Sequence, residues 1–163
     1  MKLRKEVFIG LLCGLSVIVN IVEGLYLDFL PYGLKIGLAN IFALIVIKKY
    51  GAGEMLTLNF LRLFLSSLLK GNLFSASFFI ALSGMCLSSL VMIFLYKKTT
   101  LMFTSLMAAV AHNIGQLLVV MYIYAQVRIY VLGPLLILIA VPCGLITAFI
   151  ANEALKRLFK LTQ

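Results

Sequence analysis

The sequence predicts an all-α polytopic membrane protein with six transmembrane helices and both termini in the cytoplasm. Of its 163 residues, 64% are hydrophobic and 12% are charged, whereas a soluble domain is about half apolar and about a quarter charged. The apolar residues form long runs, and short connections with glycine or basic residues separate them. These observations predict a single domain, residues 1–163, in the cell membrane.

The spans follow from the lengths of the apolar runs. A bilayer core of about 30 Å needs about 20 apolar residues per helix. Six segments are predicted to enter the core, and two of them are short: residues 7–27, 34–47, 54–69, 73–96, 101–125 and 130–155. Because the connections between them are short, neighbouring helices should run antiparallel.

The distribution of basic residues predicts the orientation. The net charge of +9 could suggest a nucleic-acid partner, but the charges lie in clusters between apolar runs, which is typical of membrane topology. With the N-terminus inside, three basic residues fall outside the membrane, namely Lys35, Lys70 and Arg128. Ten fall in the cytoplasm: Lys2, Arg4, Lys5, Lys48, Lys49, Lys97, Lys98, Lys156, Arg157 and Lys160.

An irregular segment, residues 31–40, separates the first two predicted helices. It carries a proline, two glycines, Lys35 and Asn40 where a helical hairpin needs only a short polar turn. Glycine and proline permit backbone shapes that a helix end does not, and such backbone at membrane depth must line a cavity or be covered by protein. We expect this segment to cap a binding cavity on the outer side of the membrane.

Polar side chains inside the predicted spans are the candidate ligand contacts, since such groups are costly in a bilayer and mark function. The substrate-binding candidates are Glu23, Tyr32, Lys35, Asn40, Arg62, His112, Asn113 and Gln116. Structural roles remain open at this stage. Glu23 could pair with Arg62, and His112, Asn113 and Gln116 could form hydrogen bonds between helices.

Two further features concern partners and chemistry. Gly10 and Gly14 are small residues four apart on the first helix, a spacing that permits close helix approach. The sequence has no phosphate-binding loop of the Walker type, no cluster of aspartates for Mg²⁺ and no Cys/His set for zinc. We therefore expect neither an enzyme nor a resident cofactor or metal.

Three motifs carry a resemblance to a known family. They are residues 33–40 (GLKIGLAN), then Leu61-Arg62 with residues 69–71 (LKG), then residues 111–116 (AHNIGQ). In this order they resemble the Gx transporter family, also called heptaprenyl diphosphate synthase component I. Family members usually have proline directly before the first glycine, whereas here Tyr32 separates Pro31 from Gly33.

That family is similar to the S components of energy-coupling factor (ECF) transporters. The resemblance implies six helices and an outward-facing site. It also implies a separate energising module, with a coupling membrane subunit and two cytoplasmic ATPases, against which Gly10 and Gly14 would dock. The implied function is capture of a small vitamin-like molecule, and we favour a flavin (riboflavin, FMN or FAD) as the ligand. The alternatives are a membrane subunit that supports polyprenyl diphosphate synthesis, and a self-contained carrier or channel.

Overall fold

The computed structural model describes residues 2–26, 37–125 and 127–160, with side chains for all of these except 2–4, 26, 127–129 and 159. Within this part of the chain there are six α-helices and no strand. The helices are α1 (Lys2–Tyr26), α2 (Asn40–Lys49), α3 (Ala52–Leu69), α4 (Ala76–Leu95), α5 (Leu101–Tyr124) and α6 (Gly133–Lys160), and a short 3₁₀ helix (Val127–Leu132) precedes α6. The predicted all-α class is confirmed.

Five of these helices are long and apolar enough to cross a membrane, namely α1, α3, α4, α5 and α6. The sixth, α2, has 10 residues, so it is about 15 Å long, or half of a bilayer core. Its residues 43–47 are all buried in the main core cluster. Protein therefore surrounds α2, and the length of α2 need not match the thickness of the bilayer. Five helices therefore have the length and composition of membrane spans, and six crossings remain a prediction.

Glycines set the closest helix contacts, between α4, α5 and α6. The Ser83 hydroxyl donates a hydrogen bond to the Gly115 carbonyl oxygen at 2.8 Å, and the Ser105 hydroxyl donates to the Gly144 carbonyl oxygen at 2.7 Å. A methyl group at Gly115 would lie 2.7 Å from the Ser83 carbonyl oxygen. These three helices therefore meet backbone to backbone, which fixes their registers.

Helices α1 and α3 run parallel to each other, as expected if α2 returns the chain between them. Lys5, near the start of α1, pairs with Glu54 at the start of α3. Lys70, just after α3, donates to the backbone oxygen of Asn20 on α1 at 2.8 Å. Of the five spans, α1 is the least buried.

Basic residues gather at one end of the bundle. Lys48, near the end of α2, donates to the Tyr96 backbone oxygen just after α4, and Lys49 lies over the Phe8 ring of α1. The Lys5–Glu54 pair is at the same end, because it joins the starts of α1 and α3. We call this the basic end; that it faces the cytoplasm remains a prediction.

Candidate functional site

A small cavity lies toward the end of the bundle opposite the basic end. Its volume is about 20 Å³, which is room for about one water molecule. Polar and charged side chains from four helices line it: Asn20 and Glu23 from α1, Asn40 from α2, Arg62 from α3 and His112 from α5. Gly37, Ala39, Leu63, Ala81 and Met85 complete the wall.

Gly37 joins the irregular segment to this cavity. Its φ angle is +87°, in the region that favours glycine, and its backbone N–H donates to a carboxylate oxygen of Glu23. A methyl group at this position would lie 3.3 Å from both the Asn40 amide nitrogen and the His112 ring. The backbone shape at Gly37 therefore brings α1, α2 and α5 together at one point.

Glu23 and Arg62 face the same cavity without forming an ion pair. Among the described residues no nitrogen–oxygen distance between them is within 4.0 Å, although their opposite charges attract each other. Arg62 donates to the Asn40 side-chain oxygen over a long 3.4 Å. Glu23 Oε2 and Arg62 Nη1 have no hydrogen-bond partner within the described part of the chain, so each charged group keeps an atom available to a ligand.

The position of His112 depends on α4. The Nε2 atoms of His112 and Gln116 lie 2.5 Å apart. Both side chains pack against Gly84 of α4. A methyl group at Gly84 would lie 2.8 Å from Gln116 and 2.9 Å from His112. Gln116 therefore orients His112, and His112 is the member of this pair that lines the cavity.

The structure does not place the other site candidates at the cavity. Asn113 donates to the Leu136 backbone oxygen at 2.8 Å, so it joins α5 to α6 and does not line the cavity. Tyr32 and Lys35 lie outside the described residues, and their roles remain predictions. Within the described residues no three His, Cys, Asp or Glu side chains are placed to hold a metal ion.

Lys70, which lies in the LKG motif but is not among the predicted site residues, is a further polar contact near the cavity. Its ammonium group donates to both the backbone oxygen and the side-chain oxygen of Asn20, at 2.8 and 3.1 Å. The Lys70 side chain passes close to Gly24 of α1, where a methyl group would lie 2.9 Å from the Lys70 nitrogen. The motif around Lys70 therefore holds α1 in place beside the cavity, through Asn20.

A larger groove lies between α1 and α3 at the basic end. Its volume is about 550 Å³. The α1 residues that line it are Lys5, Glu6, Ile9, Gly10 and Cys13, and the α3 residues are Gly53, Glu54, Thr57 and Leu61. Gly10 and Gly14 are exposed, and a methyl group on either would meet no atom within 4 Å. The two glycines are therefore not needed for close contact between helices of this bundle.

One comparison with known proteins decides the family. The sequence model of heptaprenyl diphosphate synthase component I matches residues 12–154. The chain belongs to this family. Comparison with curated proteins and with solved structures gave no match.

The match to heptaprenyl diphosphate synthase component I includes every residue that lines the cavity. It begins after Lys5 and Gly10, so on the α1 side of the groove it contains only Cys13. Gly37 and Met85 also line the cavity, although neither is among the predicted site residues. Gly37 belongs to the motif at residues 33–40, which could have identified it as a site residue. Met85 lies in an apolar run, where no sequence feature distinguishes it from its neighbours.

Proposed function

We propose that this protein is the substrate-binding membrane subunit of an ECF-type importer and that it captures a small vitamin-like molecule, with a flavin as the preferred ligand. The observation that carries the proposal is the convergence of Glu23, Asn40, Arg62 and His112, from four helices, on one cavity. Buried ionisable groups in a membrane are costly and tend to be functional. A purely structural ion pair would bring Glu23 and Arg62 into direct contact, and they are not in contact.

The available atoms suit a polar heterocycle. Glu23 Oε2 accepts and Arg62 Nη1 donates, and both are buried without a partner among the described residues. Asn40 is bound to Arg62 only through the long 3.4 Å contact, so a ligand could replace that contact. The pyrimidine edge of a flavin offers donors and acceptors in one plane, which an amide, a carboxylate and a guanidinium together can satisfy.

Ligand binding requires this cavity to expand. Sites for small molecules usually measure about 300 to 1,000 Å³, whereas the cavity is about 20 Å³. The structure is therefore that of a closed form, and a flavin can enter only if the walls separate.

Uptake would need a partner that supplies energy. The proposal assigns this role to a coupling membrane subunit and two cytoplasmic ATPases, because the sequence has no Walker-type loop. The exposed pair Gly10 and Gly14 supports a docking surface on α1, since open small residues let another helix approach closely.

The experiment is identification of the ligand. We expect protein purified in mild detergent to release a flavin, identified by absorbance and mass spectrometry, and to bind riboflavin, FMN or FAD saturably at micromolar concentration in equilibrium dialysis. No binding of any of the three would exclude the flavin assignment.

A second function is favoured by the family name, heptaprenyl diphosphate synthase component I. In that case the protein would be a membrane subunit that supports a polyprenyl diphosphate synthase. It would co-purify with the synthase and not with ATPase subunits, so a pull-down from native membranes separates the two functions.

A further inference from the structure

The cavity and the groove lie along the same pair of helices and nearly meet. On α3, Leu61 lines the groove and the next residue, Arg62, lines the cavity. On α1 the groove ends at Cys13 and the cavity begins at Asn20, and this separation of two helical turns is about 10 Å. The two spaces are therefore neighbours along the contact between α1 and α3, which we call the seam.

The α1 side of this seam is polar. Cys13, Ser16, Asn20 and Glu23 follow one another at intervals of three and four residues, so they share one helix face. Ser16 lies midway between the groove and the cavity and is 0% exposed. Its hydroxyl oxygen has no hydrogen-bond partner among the described residues. A buried hydroxyl in that state is costly unless water reaches it.

The polar line continues at the cavity. Glu23 Oε2 and Arg62 Nη1 also lack hydrogen-bond partners within the described chain. Together with the Ser16 hydroxyl, these are three buried polar atoms on α1 and α3 without a hydrogen-bond partner among the described residues. They form a line from Ser16 toward the end of the bundle opposite the basic end. By contrast, Ser88 on α4 is equally buried, at 0% exposed, and its hydroxyl is bound to the Met85 backbone oxygen.

Helix α1 is also the span that packs least against the rest of the bundle. It is the least buried of the five spans, and its principal neighbour is α3. Lys5–Glu54 holds it at the basic end, and Lys70–Asn20 holds it beside the cavity. Separation of α1 from α3 requires these contacts to open, together with the contacts of α1 with Gly37 and Lys49, while the backbone contacts of α4, α5 and α6 stay in place.

We propose that the α1–α3 seam is a passage for water and small polar molecules, which connects the cavity with the groove at the basic end and opens when α1 moves away from α3. The passage gives the cavity an opening toward the basic end of the bundle. It does not depend on which ligand the cavity binds.

Cysteine reactivity tests the passage without a ligand. In a background with Cys13→Ala, Cys86→Ala and Cys143→Ala, a single cysteine is introduced as Ser16→Cys or, for the matched control, as Ser88→Cys. Each protein is treated with a permanently charged methanethiosulfonate, which does not enter lipid. Because only a hydrated thiol ionises and reacts readily, we expect Ser16→Cys to react about tenfold faster than Ser88→Cys.

A second substitution assigns the route. Adding Lys5→Met, which breaks the contact with Glu54 at the basic end, should increase the rate for Ser16→Cys and leave the rate for Ser88→Cys unchanged. If Ser16→Cys does not fold, Val17→Cys replaces it in the same comparison, because Val17 is also buried and lies between Cys13 and Asn20 without lining the groove or the cavity. Equal rates for the seam and control cysteines, with and without Lys5→Met, would overturn the passage while leaving ligand binding by the cavity untouched.

Discussion

At the residue scale, Gly37 and the charged pair Glu23 and Arg62 define the site. The sequence predicted that the segment before α2 would need glycine, and the φ angle of +87° at Gly37 confirms this for one residue. The sequence also placed Glu23 and Arg62 within spans, but it left open whether they pair. That depends on the relative rotation of α1 and α3, which sequence periodicity does not determine.

The substitution Gly37→Ala tests the backbone shape. A side chain at this φ angle is strained, and its methyl group would crowd Asn40 and His112 at 3.3 Å, so we expect a loss of about 1 to 3 kcal/mol of stability. Thermal unfolding in detergent measures the change. Gly53→Ala is the matched control, because a methyl group there meets nothing within 4 Å, and its melting temperature should stay close to that of wild type.

The charges of Glu23 and Arg62 should balance each other across the cavity. Removing one charge leaves the other buried with less compensation, so Glu23→Gln and Arg62→Gln should each destabilise the protein by about 1 to 3 kcal/mol. The double variant should lose clearly less than the sum of the two, as measured by thermal unfolding.

The exposed pair Glu153 and Arg157 on α6 provides the control for this cycle. These side chains form a hydrogen bond at 3.2 Å, but surface pairs contribute only about 0 to 1 kcal/mol. Their substitutions to Gln should be nearly additive and small. Additive, large effects for Glu23 and Arg62 would show that the two charges do not interact.

At the element scale, hydropathy predicted the helices and their order, but it did not predict which glycines pack. The predicted fifth segment, residues 101–125, agrees closely with α5 (Leu101–Tyr124), whereas the short second segment begins among residues that the structure does not describe. Gly115 and Gly14 both lie in apolar runs, yet one is in backbone contact with α4 and the other is open. Tertiary packing makes this distinction, and spacing along one helix contains no information on it.

The substitution Gly115→Ala tests the α4–α5 contact. Its methyl group would lie 2.7 Å from the Ser83 carbonyl oxygen, and because backbone cannot rotate aside, we expect a cost of about 1 to 3 kcal/mol. Gly14→Ala, on an open face, should not destabilise the protein, and its higher helix propensity should stabilise α1 by up to about 1 kcal/mol. Thermal unfolding of the two variants side by side makes the comparison.

The larger substitution Gly14→Leu tests partner docking. If α1 docks a coupling subunit through its small residues, the leucine should abolish co-purification with that subunit while leaving folding and ligand binding intact. Cys86→Leu, at an exposed position on α4, adds similar bulk to another face and should leave the complex unchanged. A complex that survives Gly14→Leu would remove this face from the docking surface.

At the scale of the whole molecule, the motifs predicted the family, and the match over residues 12–154 confirms it. They also indicated which polar residues lie within the spans. They could not predict that His112 faces the cavity while its neighbour Asn113 bonds to α6. Adjacent residues on one helix point about 100° apart, and a motif does not determine which of the two directions faces the cavity. The size of the cavity likewise comes from packing among all the helices.

The central claim is that polar groups around this cavity bind a small molecule, and two buried asparagines test it most directly. Asn40 lines the cavity, whereas Asn59, on α3, donates to Ser89 at 2.9 Å and does not line it. Riboflavin affinity is measured by equilibrium dialysis for wild type, Asn40→Ala and Asn59→Ala. We predict that Asn40→Ala weakens binding about tenfold or more, the equivalent of one or two lost hydrogen bonds, and that Asn59→Ala retains the wild-type affinity. Equal affinities for all three proteins, or a loss confined to Asn59→Ala, would contradict the account.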